Sequence, residues 1–225
     1  GASAQVFFAD VEGAHALDLA SVRWIVFSTT VLGVVFVANL SFVLIERRKI
    51  FLYFGGMIGG AYLYYAYLYG EGYHMPVLRF AREFGTLAWA LPATVALASG
   101  LRFLALLMHL RVYAPRIDSL MRGVVVGLAV CFVALTLAPE SAHTVLYQAA
   151  NALALVAVSS IVVATLVATW RGSRAARFVL FAWMPMVVIA GLSAAQYLFG
   201  IWGEISLGAS YLGTTALAGI TLALA

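Results

Sequence analysis

The segment RGVVVGLAVCFVALTLA, residues 122–138, carries a single charged side chain, Arg122, and continues as an unbroken apolar run. A membrane-spanning β-strand would show short alternating runs of about 10 residues. An α-helix needs about 20 mostly apolar residues to cross a hydrocarbon core roughly 30 Å thick. The run is therefore typical of a transmembrane helix.

The same pattern repeats on both sides of this segment. The chain has 225 residues, of which 64% are hydrophobic and 10% charged, whereas a soluble domain usually carries about 25% charged residues. We therefore predict an all-α membrane protein: an extracytoplasmic lead-in segment at 1–21, then a seven-transmembrane helix bundle over 22–225. The approximate helices are 22–45, 51–69, 85–110, 122–138, 147–170, 175–199 and 205–225.

Basic residues are concentrated in the segments that follow the first, third and fifth predicted helices. Nine of the 13 Lys and Arg residues lie there, whereas most acidic residues lie on the opposite side. Cytoplasmic loops of membrane proteins carry an excess of Lys and Arg. We therefore predict that the N-terminus lies outside and the C-terminus in the cytoplasm. The nine basic residues are Arg47, Arg48, Lys49, Arg111, Arg116, Arg122, Arg171, Arg174 and Arg177.

Several classes of function are disfavoured by residues that the sequence lacks. A retinal pigment needs a lysine in its last helix for the Schiff base, and the one lysine, Lys49, lies in a loop. Acidic residues within the membrane mark pumps and proton-coupled transporters, and none is predicted in mid-helix. Phosphate-loop and metalloprotease motifs are also missing. We therefore predict a module without enzymatic activity, without a cofactor and without a nucleic-acid partner.

Three histidines, His15, His74 and His143, are predicted on the outer side. They come from separate segments and lack the paired spacing that is common in zinc sites. We therefore expect solvated histidines rather than a metal site. Cys131 is the only cysteine, so it has no partner for an intrachain disulfide.

Four polar residues are predicted at a similar depth in the outer half of the bundle: Gln148, Asn151, Gln196 and Tyr211. Such side chains often form hydrogen bonds between helices. They could equally form the polar wall of a pocket for a small or lipid-like ligand. Both interpretations stay open at this point.

The second predicted helix contains two overlapping G-x-x-x-G motifs, formed by Gly55 with Gly59 and by Gly56 with Gly60. Small residues at this spacing let two helices approach closely. The contact is expected within the bundle, and a homodimer contact is the alternative. The third predicted helix contains Pro92, which is expected to kink it.

Two polar segments carry a family resemblance. HLRVYAPRIDSLMR, residues 109–122, resembles the loop between helices 3 and 4 of the bacterial 7TMR-DISM family, the seven-transmembrane receptors with diverse intracellular signalling modules. RGSRAARFVLFAW, residues 171–183, resembles the start of helix 6 in that family. The residues of these two cytoplasmic segments that we select are Arg111, Tyr113, Pro115, Arg116, Asp118, Arg174 and Arg177.

The resemblance implies a signal-transduction receptor in the bacterial inner membrane. In such receptors an extracytoplasmic sensor domain precedes the bundle, and an output domain such as the histidine kinase of a two-component system follows it. We therefore expect a module that senses an extracytoplasmic or membrane-dissolved ligand and relays the signal through helix 7. The alternative is a small-molecule transporter or channel, which the lack of internal repeats disfavours.

Overall fold

The computed structural model describes residues 30–68, 83–85 and 87–181. This part of the chain is helical, with short turns between the helices. In chain order the elements are α1, Thr30–Glu46; α2, Lys49–Leu68; α3, Leu87–Leu107; α4, Leu110–Tyr113; α5, Pro115–Leu137; α6, Glu140–Trp170; and α7, 174–181.

Three helices in the described ranges, α3, α5 and α6 from Ser141 onward, are long and apolar enough to cross a membrane. The outer face of α5 fits a lipid environment, because Val126, Val130 and Val133 are each more than half exposed. Large apolar side chains exposed in such a row are typical of a membrane-facing surface. The fold is thus that of an all-helical membrane protein, while the seven-helix count and the orientation stay predictions.

One glycine stripe of α2 lies against α1. A Cβ on Gly55 would lie 2.5 Å from Nδ2 of Asn39, and a Cβ on Gly59 would lie 2.6 Å from the ring of Phe36. Asn39 is 1% exposed and donates from Nδ2 to the carbonyl oxygen of Phe51 at 3.0 Å. The absence of a side chain at Gly55 therefore makes room for a partly buried interhelical hydrogen bond.

The other glycine stripe of α2 lies against α3. A Cβ on Gly56 would meet Oγ of Ser99 at 2.5 Å, and a Cβ on Gly60 would lie 2.7 Å from the backbone nitrogen of Ala96. It would also lie 2.8 Å from the carbonyl oxygen of Pro92. Both G-x-x-x-G motifs thus serve contacts within the chain, as expected.

α6 runs parallel to α3. At one end the rings of Trp89 and Tyr147 stack, with centroids 5.6 Å apart. At the other end Oγ1 of Thr165 lies 3.6 Å from the sulfur of Met108. α3 and α6 are therefore in contact at both ends of the bundle. The second end also holds the largest fully buried apolar side chains of α3, the α3–α4 turn, α4 and α5: Leu101, Leu104, Met108, Leu110 and Met121.

Helix boundaries differ most from the sequence prediction at two places. The helix predicted at 122–138 begins earlier, at Pro115, and the helix predicted at 147–170 begins at Glu140. Proline is favoured in the first turn, since its missing N–H has no helical partner there. Most of the segment 109–123 is therefore helical rather than a loop. The predicted helix at 205–225, and most of the one at 175–199, lie outside the described residues.

Candidate functional site

The basic residues of the described ranges lie at one end of the bundle, which we call the arginine-rich end. It comprises the α1–α2 turn, the junction of α3, α4 and α5, and the junction of α6 and α7. The antiparallel packing of α2 on α3 brings these parts together, with the rings of Phe54 and Phe103 5.1 Å apart. The basic residues are Arg47, Arg48, Lys49, Arg102, Arg111, Arg116, Arg122, Arg171, Arg174 and Arg177.

Asp118 is the buried centre of an ion-pair cluster at this end. It lies in the first turn of α5 and is 4% exposed. Arg102 of α3 donates from Nη1 to its Oδ1 at 3.1 Å, and Arg122 donates from Nη2 to its Oδ2 at 2.6 Å. The carboxylate therefore joins α3 to α5, and its position near the start of α5 also suits the helix dipole.

A sharp reversal connects α3 to α5 next to this cluster. His109 takes the left-handed conformation, with φ of 53°, and ends α3 before the single turn of α4. Ala114 then separates α4 from α5, and its N–H donates to the carbonyl oxygen of Leu110 at 2.7 Å. The carbonyl oxygen of Tyr113 accepts a hydrogen bond from Nη1 of Arg171, which stands at the end of α6. That bond ties the reversal to the α6–α7 junction.

The α6–α7 junction is closed by backbone hydrogen bonds around Gly172. The Gly172 N–H donates to the carbonyl oxygen of Thr169 at 3.0 Å, and the Ser173 N–H donates to that of Ala168 at 2.9 Å. This pair is the Schellman arrangement, which favours glycine because the residue takes a positive φ, here 88°. Oγ of Ser173 accepts the N–H of Ala176 at 3.2 Å and caps α7.

Two arginines lie within three residues of Tyr113 and two lie within six residues of Arg171; together with Arg171 we call them the arginine corner. All five are exposed. The acidic side chains at this end are already engaged, since Glu46 pairs with Arg48 at 3.3 Å and Asp118 pairs within its cluster. Within the described residues the corner thus has no acidic partner of its own. Its members are Arg111, Arg116, Arg171, Arg174 and Arg177.

The opposite end of α3 and α6 carries an aromatic cluster. Trp89 lies between two tyrosines, stacking on Tyr147 and meeting Tyr64 edge-on at 6.4 Å between centroids. The ring of His143 meets Tyr147 edge-on at 6.3 Å. The hydroxyl of Tyr147 is buried and finds no hydrogen-bond partner within the described part of the chain. We call these four residues the outer aromatic cluster, after the side of the membrane on which the predicted orientation would place them.

A family model described as 7TM diverse intracellular signalling matches residues 23–225. The chain belongs to this family. The match confirms the identification made on the two polar segments, residues 109–122 and 171–183. No curated protein and no solved structure shows significant similarity to the chain. This 7TMR-DISM chain is therefore a multi-pass membrane receptor module of a family that signals through diverse intracellular domains.

Two of the four predicted ligand residues of this 7TMR-DISM module, Gln148 and Asn151, lie in the described part of the chain. Gln148 is exposed on α6, whereas Asn151 is partly buried and lies one turn along from Tyr147, on the same side of α6. Gln196 and Tyr211 lie outside the described residues. His15 and His74 do as well, and no group of three metal-ligating side chains occurs in the ranges that the structure describes.

Two features of the site do not stand out in the sequence. The ion pair of Arg102 with Asp118 joins residues 16 positions apart on different helices, and the Trp89–Tyr147 stack joins residues even further apart. One signal for the ion pair does exist. A lone arginine in an apolar helix is costly and usually pairs, and Asp118 is the only acid in the neighbouring polar segment.

Proposed function

We propose that this chain is the sensor module of a receptor that detects an extracytoplasmic or membrane-dissolved ligand. In this proposal the signal passes through the last predicted helix, 205–225, to a cytoplasmic output domain in the same polypeptide. The family match over residues 23–225 is the observation that carries the proposal. We further propose that the module has no catalytic activity and sits in the bacterial inner membrane.

The connection between the two ends of the bundle supports a relay. α3 contributes Trp89 to the outer aromatic cluster and Arg102 to the ion-pair cluster, while α6 contributes Tyr147 at one end and Arg171 at the other. α3 and α6 are continuous helices between these positions. A shift of α3 along α6 at the outer aromatic cluster would therefore also move Arg102 relative to Arg171 at the arginine-rich end.

A ligand drives such a shift only through a difference in affinity for two arrangements of the helices. We place the ligand site at the outer aromatic cluster, where the affinity for the ligand would differ between the two arrangements. The Tyr147 hydroxyl is a buried donor without a described partner, and a ligand acceptor there would remove the cost of burying it unpaired. Asn151 would supply a second polar contact one turn along α6.

The relay can be tested by changing the helical phase at the junction with an output domain. The chain is fused after Ala225 to a diguanylate cyclase domain, and alanines are inserted one at a time over a full turn of about 3.6 residues. If the last helix transmits a rotation, cyclase activity rises and falls with the helical period. Activity that stays constant, or declines steadily with length, would overturn the relay through helix 7.

A further inference from the structure

Within the described residues, no acidic side chain neutralises the arginine corner. Asp118 is shared by Arg102 and Arg122, and Glu46 pairs with Arg48. Arg171 uses one guanidinium nitrogen for a backbone carbonyl, a neutral acceptor. Anions that neutralise the corner must therefore come from elsewhere.

The surroundings of the corner indicate which kind of anion fits. Trp170, directly before Arg171, is 95% exposed, and Val112, directly after Arg111, is 75% exposed. A large aromatic side chain next to basic side chains is typical of the boundary between lipid headgroups and acyl chains. A soluble acidic protein or nucleic acid would leave these apolar side chains without a complementary surface.

We propose that the arginine corner is a binding site for the phosphate headgroup of an anionic phospholipid. The Tyr113–Arg171 hydrogen bond holds its two halves together, with Arg111 and Arg116 on one side and Arg174 and Arg177 on the other. Guanidinium groups bind phosphate oxygens in a bidentate manner, while Trp170 and Val112 contact the acyl chains. This inference concerns the lipid at the cytoplasmic face and does not depend on the relay through helix 7.

The test measures lipid binding to the full chain in zwitterionic phosphatidylcholine nanodiscs by native mass spectrometry. Phosphatidylglycerol is titrated in, and the double variant R174Q/R177Q is compared with the unchanged chain. Each basic side chain near an anionic surface contributes about 1 kcal/mol, so the double variant should bind phosphatidylglycerol about 30-fold more weakly. Far-UV circular dichroism checks that the helices are retained, and R111Q/R116Q serves as a second variant from the other half of the corner.

The matched control removes two positive charges from the same end but outside the corner. R47Q/K49Q changes the α1–α2 turn and should weaken binding by no more than about 3-fold, since it alters only the long-range field. Equal losses in R174Q/R177Q and R47Q/K49Q would overturn the proposal, since they would show an unspecific charge effect. Glycerol phosphate or polyglutamate binding as tightly as phosphatidylglycerol would overturn it as well, in favour of a free phosphate or an acidic protein.

Discussion

Two acidic residues at the arginine-rich end show how burial changes the contribution of a single charge to stability. Glu46 meets Arg48 with side chains that are 43% and 73% exposed, whereas the Asp118 side chain is 6% exposed and meets two arginines. Exposed pairs contribute little, because water screens them and both side chains lose freedom. Removing one member of a buried pair leaves the other charge without compensation.

The first prediction compares these two acids by isosteric substitution. Asp118→Asn should lower the free energy of unfolding by about 2–3 kcal/mol, because Arg102 loses a charged acceptor in a partly buried site. Glu46→Gln should change it by less than about 0.5 kcal/mol. Unfolding in mixed micelles with increasing SDS, followed by circular dichroism, gives both values. Similar losses for the two variants would contradict the central role of Asp118.

The second prediction concerns the backbone conformation of Gly172. Its φ of 88° is unfavourable for a side chain, so Gly172→Ala should destabilise the α6–α7 junction by about 1–2 kcal/mol. Gly123 of α5 is the control, because an added Cβ there meets nothing within 4 Å and its φ is ordinary for a helix. Gly123→Ala should be neutral or stabilising by up to about 1 kcal/mol. Hydrogen exchange at residues 168–177 should quicken only in the Gly172 variant.

At the scale of helices, the positions of the helices could be predicted from the apolar composition of the sequence. The start of α5 could not, because it depends on contacts between side chains. Apolar runs located the described helices, although α3 ends at Leu107, earlier than predicted. The start of α5 was placed too late because Arg116, Asp118 and Arg122 are polar. In the structure, Asp118 and Arg122 form an ion pair within α5. These polar side chains therefore belong to the helix and do not indicate a loop.

The third prediction uses two glycines of one stripe. A Cβ on Gly60 would press on backbone atoms of Ala96 and Pro92, whereas a Cβ on Gly56 would chiefly press on the Ser99 hydroxyl. A backbone cannot rotate away, but a serine side chain can. Gly60→Ala should therefore separate α2 from α3 and cost about 1–3 kcal/mol, with Gly56→Ala costing clearly less. SDS unfolding curves of the two variants give the comparison, and a reversed order would contradict the α2–α3 packing.

At the scale of the whole molecule, charge distribution predicted more of the arrangement than any motif did. The three basic segments come together at one end, as the loop charges indicated, and α3 and α6 connect that end to the outer aromatic cluster. The cluster itself could not be predicted, because Trp89 and Tyr147 are ordinary members of apolar helices. Gln196 and Tyr211, predicted at a similar depth to Gln148 and Asn151, lie outside the described residues, so a pocket formed by all four stays a hypothesis.

The fourth prediction concerns the sidedness of the membrane. In a Cys131→Ser background, single cysteines replace Ser119 at the arginine-rich end and Ser141 at the start of α6, both of which are exposed. A membrane-impermeant maleimide should label Ser141→Cys in intact cells and Ser119→Cys only after permeabilisation, since basic loops stay in the cytoplasm. The opposite labelling pattern would overturn the orientation.

The two glycine stripes of α2 also limit how the association of two copies can be studied. Each stripe already holds a neighbour from the same chain, α1 on one side and α3 on the other. Bulky substitutions at G-x-x-x-G motifs are a usual way to separate paired membrane helices. In this receptor module, the disappearance of a cross-linked dimer after such a substitution would report damage inside each subunit rather than the separation of two intact subunits.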